Sequence, residues 1–150
     1  MNRIDTQYKK FHAKGIKRRL GIMAHTVAGY PTIAKSRENL RILAEAGVDF
    51  IEVQIPFSDP LGDGKTIREA NTIALEGGIK VRDAFTIIKK ARTEDKIKIP
   101  LLFMTYFNIV FTYGIEEFCK DSKAVGVDGF IIPDVTLETE EYDHLDRIAL

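Results

Sequence analysis

The 150-residue chain has one cysteine, no surplus charge of either sign and no long apolar run. A single Cys119 excludes a disulfide within the chain and any cysteine-built metal site, and makes a reducing, cytoplasmic setting the default expectation. Twenty-two Lys and Arg offset 22 Asp and Glu, so no overall field draws nucleic acid and no charged tail is present. Without a run of eighteen apolar residues, no segment is expected to cross a membrane as a helix. The basic stretch KKFHAKGIKRR (9–19) lacks the apolar core and small-residue cleavage site of a targeting peptide. Ile4, Tyr8 and Phe11 fall instead at i, i+4 and i+7, the stripe of a surface helix.

What the chain has is alternation. LGIMAHTVA (20–28) predicts a first strand, and GYPT a turn. Thr32 is placed to cap a helix through Ala46, with Leu40, Leu43 and Ile33 inward, and Gly47 to end it. VDFIEVQI (48–55) predicts a second strand, 66–76 and 81–92 helices, and IPLLFM (99–104) a third strand. A helix over 115–124, a strand over 127–132 and a last helix from Glu138 complete the series. The pattern is still helical where the sequence stops at Leu150, which suggests truncation.

Two segments echo each other without gaps: AEAGVDFIEV (44–53) and KAVGVDGFII (123–132). Each is a helix end, Gly-Val-Asp and an apolar strand, the joint a repeating βα protein needs. Strands separated by helices pair in parallel, and strands this apolar are covered on both faces. The class is α/β, with a doubly wound sheet and a barrel both open.

Strand parity singles out Glu52. Ile51, Val53 and Ile55 share one face of the second strand; Phe50, Glu52 and Gln54 share the other. If the second face lines a barrel, Glu52 projects into an apolar interior near the carboxyl end of its strand, where barrel active sites lie. Burial there penalises the charged form and lets the group trade protons near neutrality. If the strand is an edge, the same face is simply wet. The loop PFSDPLGDGK (56–65), with two Pro, two Gly and two Asp, is longer and more shaped than a minimal turn, which points to function. Its bland reading is a turn in which Asp59 and Asp63 satisfy their own backbone, a reading that suits Asp59 better than both. GDGKT (62–66) resembles the tail of a phosphate-binding loop. The full pattern needs glycine at position 59, and Asp59 there opposes phosphate.

The run E-x-x-I-P-F-S-D-P-x-x-D-G resembles the signature of the tryptophan synthase alpha chain family. Its companions are AGYP, EAGVDFIEV, YFNIVFTYGIEEFC and VGVDGFIIPDV. The resemblance implies a (β/α)8 TIM barrel, of which residues 1–150 are the N-terminal half, about four βα units of one domain. It implies a lyase of tryptophan biosynthesis that cleaves indole-3-glycerol phosphate to indole and glyceraldehyde 3-phosphate. By position, Glu52 matches the catalytic acid/base and Asp63 the carboxylate that holds the indole N–H. Tyr106 matches a residue beside the substrate, and Met104 and Ile131 match the lining of the indole pocket. Pro56, Asp59 and Asn108 fall where the family meets its beta chain in a heterotetramer. No metal or cofactor is implied, and no nucleic acid or membrane.

Departures from the family pattern are Gln54 for Gly, Gly62 for Ala and Lys65 for Pro, while His25 replaces a bulky apolar residue. Gln54 shares a face with Glu52 and is placed to crowd or bond it; Lys65 is placed to pair with Asp63. A lone strand histidine is assigned packing. The family's phosphate loops belong to the second half of the barrel, so the fragment alone is expected to be inactive. Open edges on the first and fourth strands should expose Phe50 and Ile131. The alternatives are a non-catalytic remnant or binding subunit, and a related phosphate-binding barrel with another aldol-type substrate.

Overall fold

A computed structural model describes residues 2–12, 20–60 and 62–135. The helix expected from Glu138 lies outside the described residues. Ten elements follow in order: α1 (Arg3–His12), β1 (Met23–Val27), α2 (Ile33–Glu45), β2 (Phe50–Gln54), α3 (Lys65–Glu76), α4 (Val81–Thr93), β3 (Leu101–Met104), α5 (Phe107–Tyr113), α6 (Ile115–Val125) and β4 (Gly129–Ile131). The four strands form one parallel sheet in the order β1-β2-β3-β4. Parallel neighbours in chain order with helical crossovers are the first half of a TIM barrel, and β1 and β4 are the edges of the sheet among the described residues.

The outer face of the sheet carries the core. Ile51, Val53, Leu101 and Phe103 are fully buried beneath α2, α4 and α6. Phe85 of α4 meets Phe103 edge-on at 5.2 Å and Phe118 of α6 at 5.5 Å, and Phe118 reaches Phe130 at 5.4 Å. Such aromatic pairs contribute beyond their buried area. The inner face is only half covered: Phe50, Glu52, Leu102, Gly129 and Ile131 are all partly exposed, and Met23 is 51% exposed. The alternation read from β2 therefore holds, with one exception. Gln54 lies on the inner side yet is fully buried, because the loop after β2 folds onto it.

Thr32 caps α2 as expected, its hydroxyl accepting from the Lys35 amide at 3.2 Å. Ile33, expected inward, is 44% exposed; it sits in the first turn, beside the cap. The α1 stripe is also rotated from the expectation. Gln7 is buried and Tyr8 exposed, because Gln7 Nε2 donates to Asp49 Oδ1 at 2.7 Å and a polar partner outweighs the ring's hydrophobicity. The short helix α5 was not expected. Seven residues carry too little periodicity, and its first amide, Phe107 N, donates to both oxygens of Asp134, 27 residues later.

The echoed Gly-Val-Asp joints have equivalent structures. Gly47 and Gly126 take φ of 84° and 92°, left-handed values that glycine adopts without steric penalty. Each following aspartate pins the start of a neighbouring strand: Asp49 Oδ2 accepts from Ile22 N at 2.9 Å, and Asp128 Oδ2 from Leu101 N at 2.9 Å. Each also holds α1 across the amino end of the sheet, Asp49 through Gln7 and Asp128 through Arg3 at 2.9 Å.

Candidate active site

The carboxyl ends of β2, β3 and β4 and the loops that leave them gather the residues singled out by sequence. Register fixes their levels. Glu52 pairs with His25 on β1 and Leu102 on β3, and Leu102 with Gly129 on β4. One level higher, Gln54 pairs with Met104, and Met104 with Ile131. Parallel partners point to the same face, so Met104 and Ile131 form an apolar step directly above the level of Glu52.

The Glu52 side chain is 16% exposed, and its Oε1 lies 3.0 Å from Nδ1 of His25. His25, expected only to pack, thus also places a ring nitrogen on the Glu52 carboxyl group. Histidine and carboxylate meet because two adjacent parallel strands place them at one register position.

Asp63 is held from the same strand. Gln54 Nε2 donates to Asp63 Oδ2 at 2.7 Å, so Gln54 supports the second carboxylate and not Glu52. Lys65, expected to pair with Asp63, is exposed at the start of α3 and makes no ion pair among the described residues. Asp63 N donates to Pro60 O at 3.0 Å, closing the turn, while its carboxylate stays committed to Gln54. Asp59 engages its neighbour, accepting from Ser58 Oγ at 2.7 Å.

Asn71 anchors the loop. Its Oδ1 accepts from Phe57 N at 3.0 Å, its Nδ2 donates to Ile67 O at 2.8 Å, and the residue is fully buried on α3. Phe57 in turn packs on Tyr106, ring centroids 5.0 Å apart. Neither Asn71 nor Asp134 was singled out by sequence. An interior asparagine on a helix and a loop aspartate look ordinary until the chain folds back on them.

Tyr106 follows β3 as the N-cap residue of α5 and is buried, with its hydroxyl close to Gly62: a Cβ on Gly62 would lie 3.6 Å away. Burial pushes the Tyr106 pKa up, the Asp63 carboxylate adds to this, and the Gly62 backbone opposes it. Among the described residues, no partner meets hydrogen-bond geometry with that hydroxyl, with Gln54 Oε1 or with Thr105 Oγ1, all buried at this end of the sheet. Buried polar atoms usually have partners, and Ser36 Oγ of α2 and Ser122 Oγ of α6 also lack one among the described residues. Here a donor, an acceptor and a carboxylate converge beside an apolar step, an arrangement suited to a flat apolar ligand with a polar edge.

Of the three expected interface residues, Asp59 and Asn108 are exposed and Pro56 is buried. Pro56 thus shapes the loop without offering surface of its own. A concavity of about 530 Å³ lies next to them, lined by Ser58, Pro60, Lys65, Arg68, Glu69 and Thr72. Neither Glu52 nor Asp63 lines it.

Comparison with known proteins identifies the family and the fold. The family model described as "Tryptophan synthase alpha chain" matches residues 11–148. A tryptophan synthase alpha chain of Thermoanaerobacter sp. (strain X514) is 43% identical over 147 residues, 98% of this chain and 54% of the relative. One from Caldanaerobacter subterraneus subsp. tengcongensis is 44% identical over 138 residues, 92% of this chain and 51% of the relative. Among solved structures, tryptophan synthase subunit alpha from Legionella pneumophila str. Paris superposes with a TM-score of 0.90 at 30% identity, covering 99% of this chain and 55% of that one. The chain spans about half the length of the curated relatives it matches.

Proposed function

The chain belongs to the tryptophan synthase alpha chain family, and we propose that it supplies the indole-handling half of a lyase acting on indole-3-glycerol phosphate in the cytoplasm. The observation that carries this reading is the pair of carboxylates, each held by a neighbouring side chain at the carboxyl end of a parallel sheet.

Cleavage breaks the bond between ring carbon C3 and the side-chain carbon that bears the hydroxyl. A proton added to C3 makes the ring an indolenine, which can accept the electron pair of that bond. Loss of the hydroxyl proton forms the aldehyde of glyceraldehyde 3-phosphate, and the electrons return to the ring to give indole. Glu52 is the proton donor to C3 and, once ionised, a base for the hydroxyl. Asp63, fixed by Gln54, opposes the positive charge that develops at the ring nitrogen, and its fixed position lowers the reorganisation needed during reaction. Met104 and Ile131 supply the apolar wall and Tyr106 the polar edge of the ring pocket. The phosphate is held by the second half of the barrel, as is usual after the seventh and eighth strands. The beta chain of the heterotetramer docks on the exposed Asp59 and Asn108 segments. A second reading, a different aldol-type substrate, is favoured by Gln54, whose buried carbonyl oxygen lacks a partner among the described residues.

The test joins the chain after Leu150 to the remaining residues of the Thermoanaerobacter relative. Indole release from indole-3-glycerol phosphate is expected from the completed barrel and not from the 150-residue chain alone. In the completed barrel, Asp63→Asn is expected to lower kcat more than it raises KM. A completed barrel that is folded and inert toward this substrate overturns the reading.

A further inference from the structure

We infer that His25 is a positioning residue for Glu52, sharing a single proton with it and fixing which carboxyl oxygen faces the substrate. This rests on the lyase reading above.

The two side chains leave adjacent strands at one register position, His25 opposite Glu52, so the contact is set by sheet pairing and not by a flexible loop. Nδ1 and Oε1 are 3.0 Å apart, and the side chains are 28% and 16% exposed. A gap of that length holds one proton. When Nδ1 carries it, the imidazole donates and Glu52 is a carboxylate. When Oε1 carries it, the acid donates and the imidazole accepts. Glu52 acts in both forms during cleavage, and His25 partners both. Oε1 is thereby committed, and Oε2 has no partner among the described residues, leaving it to meet the substrate.

Among the described residues, no other group at this level bonds to His25 or Glu52. The facing residues of β3 and β4 are Leu102 and Gly129. Above, Asp63 is bound to Gln54, and Tyr106 stands beside Asp63. Below, Arg3 is paired with Asp128, and Lys10 Nζ donates to Gln7. A carboxyl side chain with several free torsions is thus reduced to one orientation. Orientation of a reacting group to within about an ångström is worth up to about a hundredfold in rate.

Two measurements test this. In long-range ¹H–¹⁵N spectra of the 150-residue chain, the His25 ring, assigned with His25→Phe, is expected to change its Nδ1 signal on Glu52→Gln. An unchanged Nδ1 signal shows that the two groups do not share a proton and overturns the inference. This measurement uses no substrate, so a responsive Nδ1 with an inert completed barrel overturns the lyase reading while the pairing stands. In an active completed barrel, His25→Phe is expected to lower kcat about tenfold or more with KM within about twofold. His25→Asn, which places an amide N–H near the position of Nδ1, is expected to recover most of that loss. A His25→Phe enzyme with unchanged kcat returns His25 to packing.

Discussion

The two ends of the sheet handle buried polarity in opposite ways. At the amino end the buried charges of Arg92 and Asp128 are paired. Arg92 donates to the carbonyls of Gly126 at 2.9 Å, Ile97 at 2.7 Å and Ile99 at 2.8 Å, and to Asp128 at 2.5 Å. Burial still draws its pKa down to about 10, against the pull of Asp128 and with a further push from Arg3. At the carboxyl end, Gln54 Oε1, Thr105 Oγ1 and Tyr106 Oη are buried without partners among the described residues. The amino-end charges hold strands and α1 together; the carboxyl end carries the proposed site. This matches the division in TIM barrels, where the amino face serves stability and the carboxyl face serves chemistry.

Substitutions at the two ends should therefore fail in different currencies. The largest expected effect is Glu52→Gln in the completed barrel: kcat falls about 10²–10⁴-fold, the usual contribution of a general acid/base, while the urea midpoint stays near wild type. Near-normal kcat would make Glu52 structural and erase the contrast. Asp128→Ala should do the reverse. It strands a buried Arg92, so unfolding free energy should fall by roughly 3–5 kcal/mol while the folded fraction keeps its turnover. A loss below about 1 kcal/mol in urea titration would show that the amino-end network is not the anchor.

Tyr106→Phe sharpens the comparison from the carboxyl end. Deleting an unpaired buried hydroxyl removes its desolvation penalty, so stability should hold or rise by up to about 1 kcal/mol, with slower indole release. Clear destabilisation would mean that the hydroxyl already has a partner. The smallest effect belongs to neither end. Arg37 of α2 grips Asp95 after α4 with two bonds of 2.7 and 2.8 Å. That hydrogen bond, ahead of charge attraction, holds the Asp95 pKa below its ordinary value. A depressed carboxylate stabilises above its unfolded pKa and loses that contribution as pH falls through the folded one. Asp95→Asn should thus be slightly less stable than wild type at pH 7, with the gap closing below about pH 4. A gap that widens on acidification would reverse the assignment.

Much of this was legible in the chain. Parity in FIEVQ put Glu52 on the inner face because β-strand side chains alternate whatever surrounds them. The Gly-Val-Asp echo located two equivalent joints, although not their function; that needed the neighbouring strand starts at Ile22 and Leu101, which are 27 residues away in both cases. Thr32 and Gly47 marked the ends of α2 because capping is local chemistry. The α5 helix escaped notice because its cap, Asp134, comes from the other side of β4.

The sequence by itself determined the order of the elements, the face on which Glu52 stands, and the family to which the loop 55–64 belongs. These follow from periodicity, capping and turn chemistry, all of which act over a few residues. The tertiary structure alone decided the partners. It set His25 beside Glu52 through the β1–β2 register, turned Gln54 toward Asp63 and away from Glu52, and buried Gln7 in place of Tyr8. Each of these is a hydrogen bond between groups brought together by strand pairing or loop folding. Local sequence fixes which groups are available, but the energy of pairing them exists only once the sheet has set the distance.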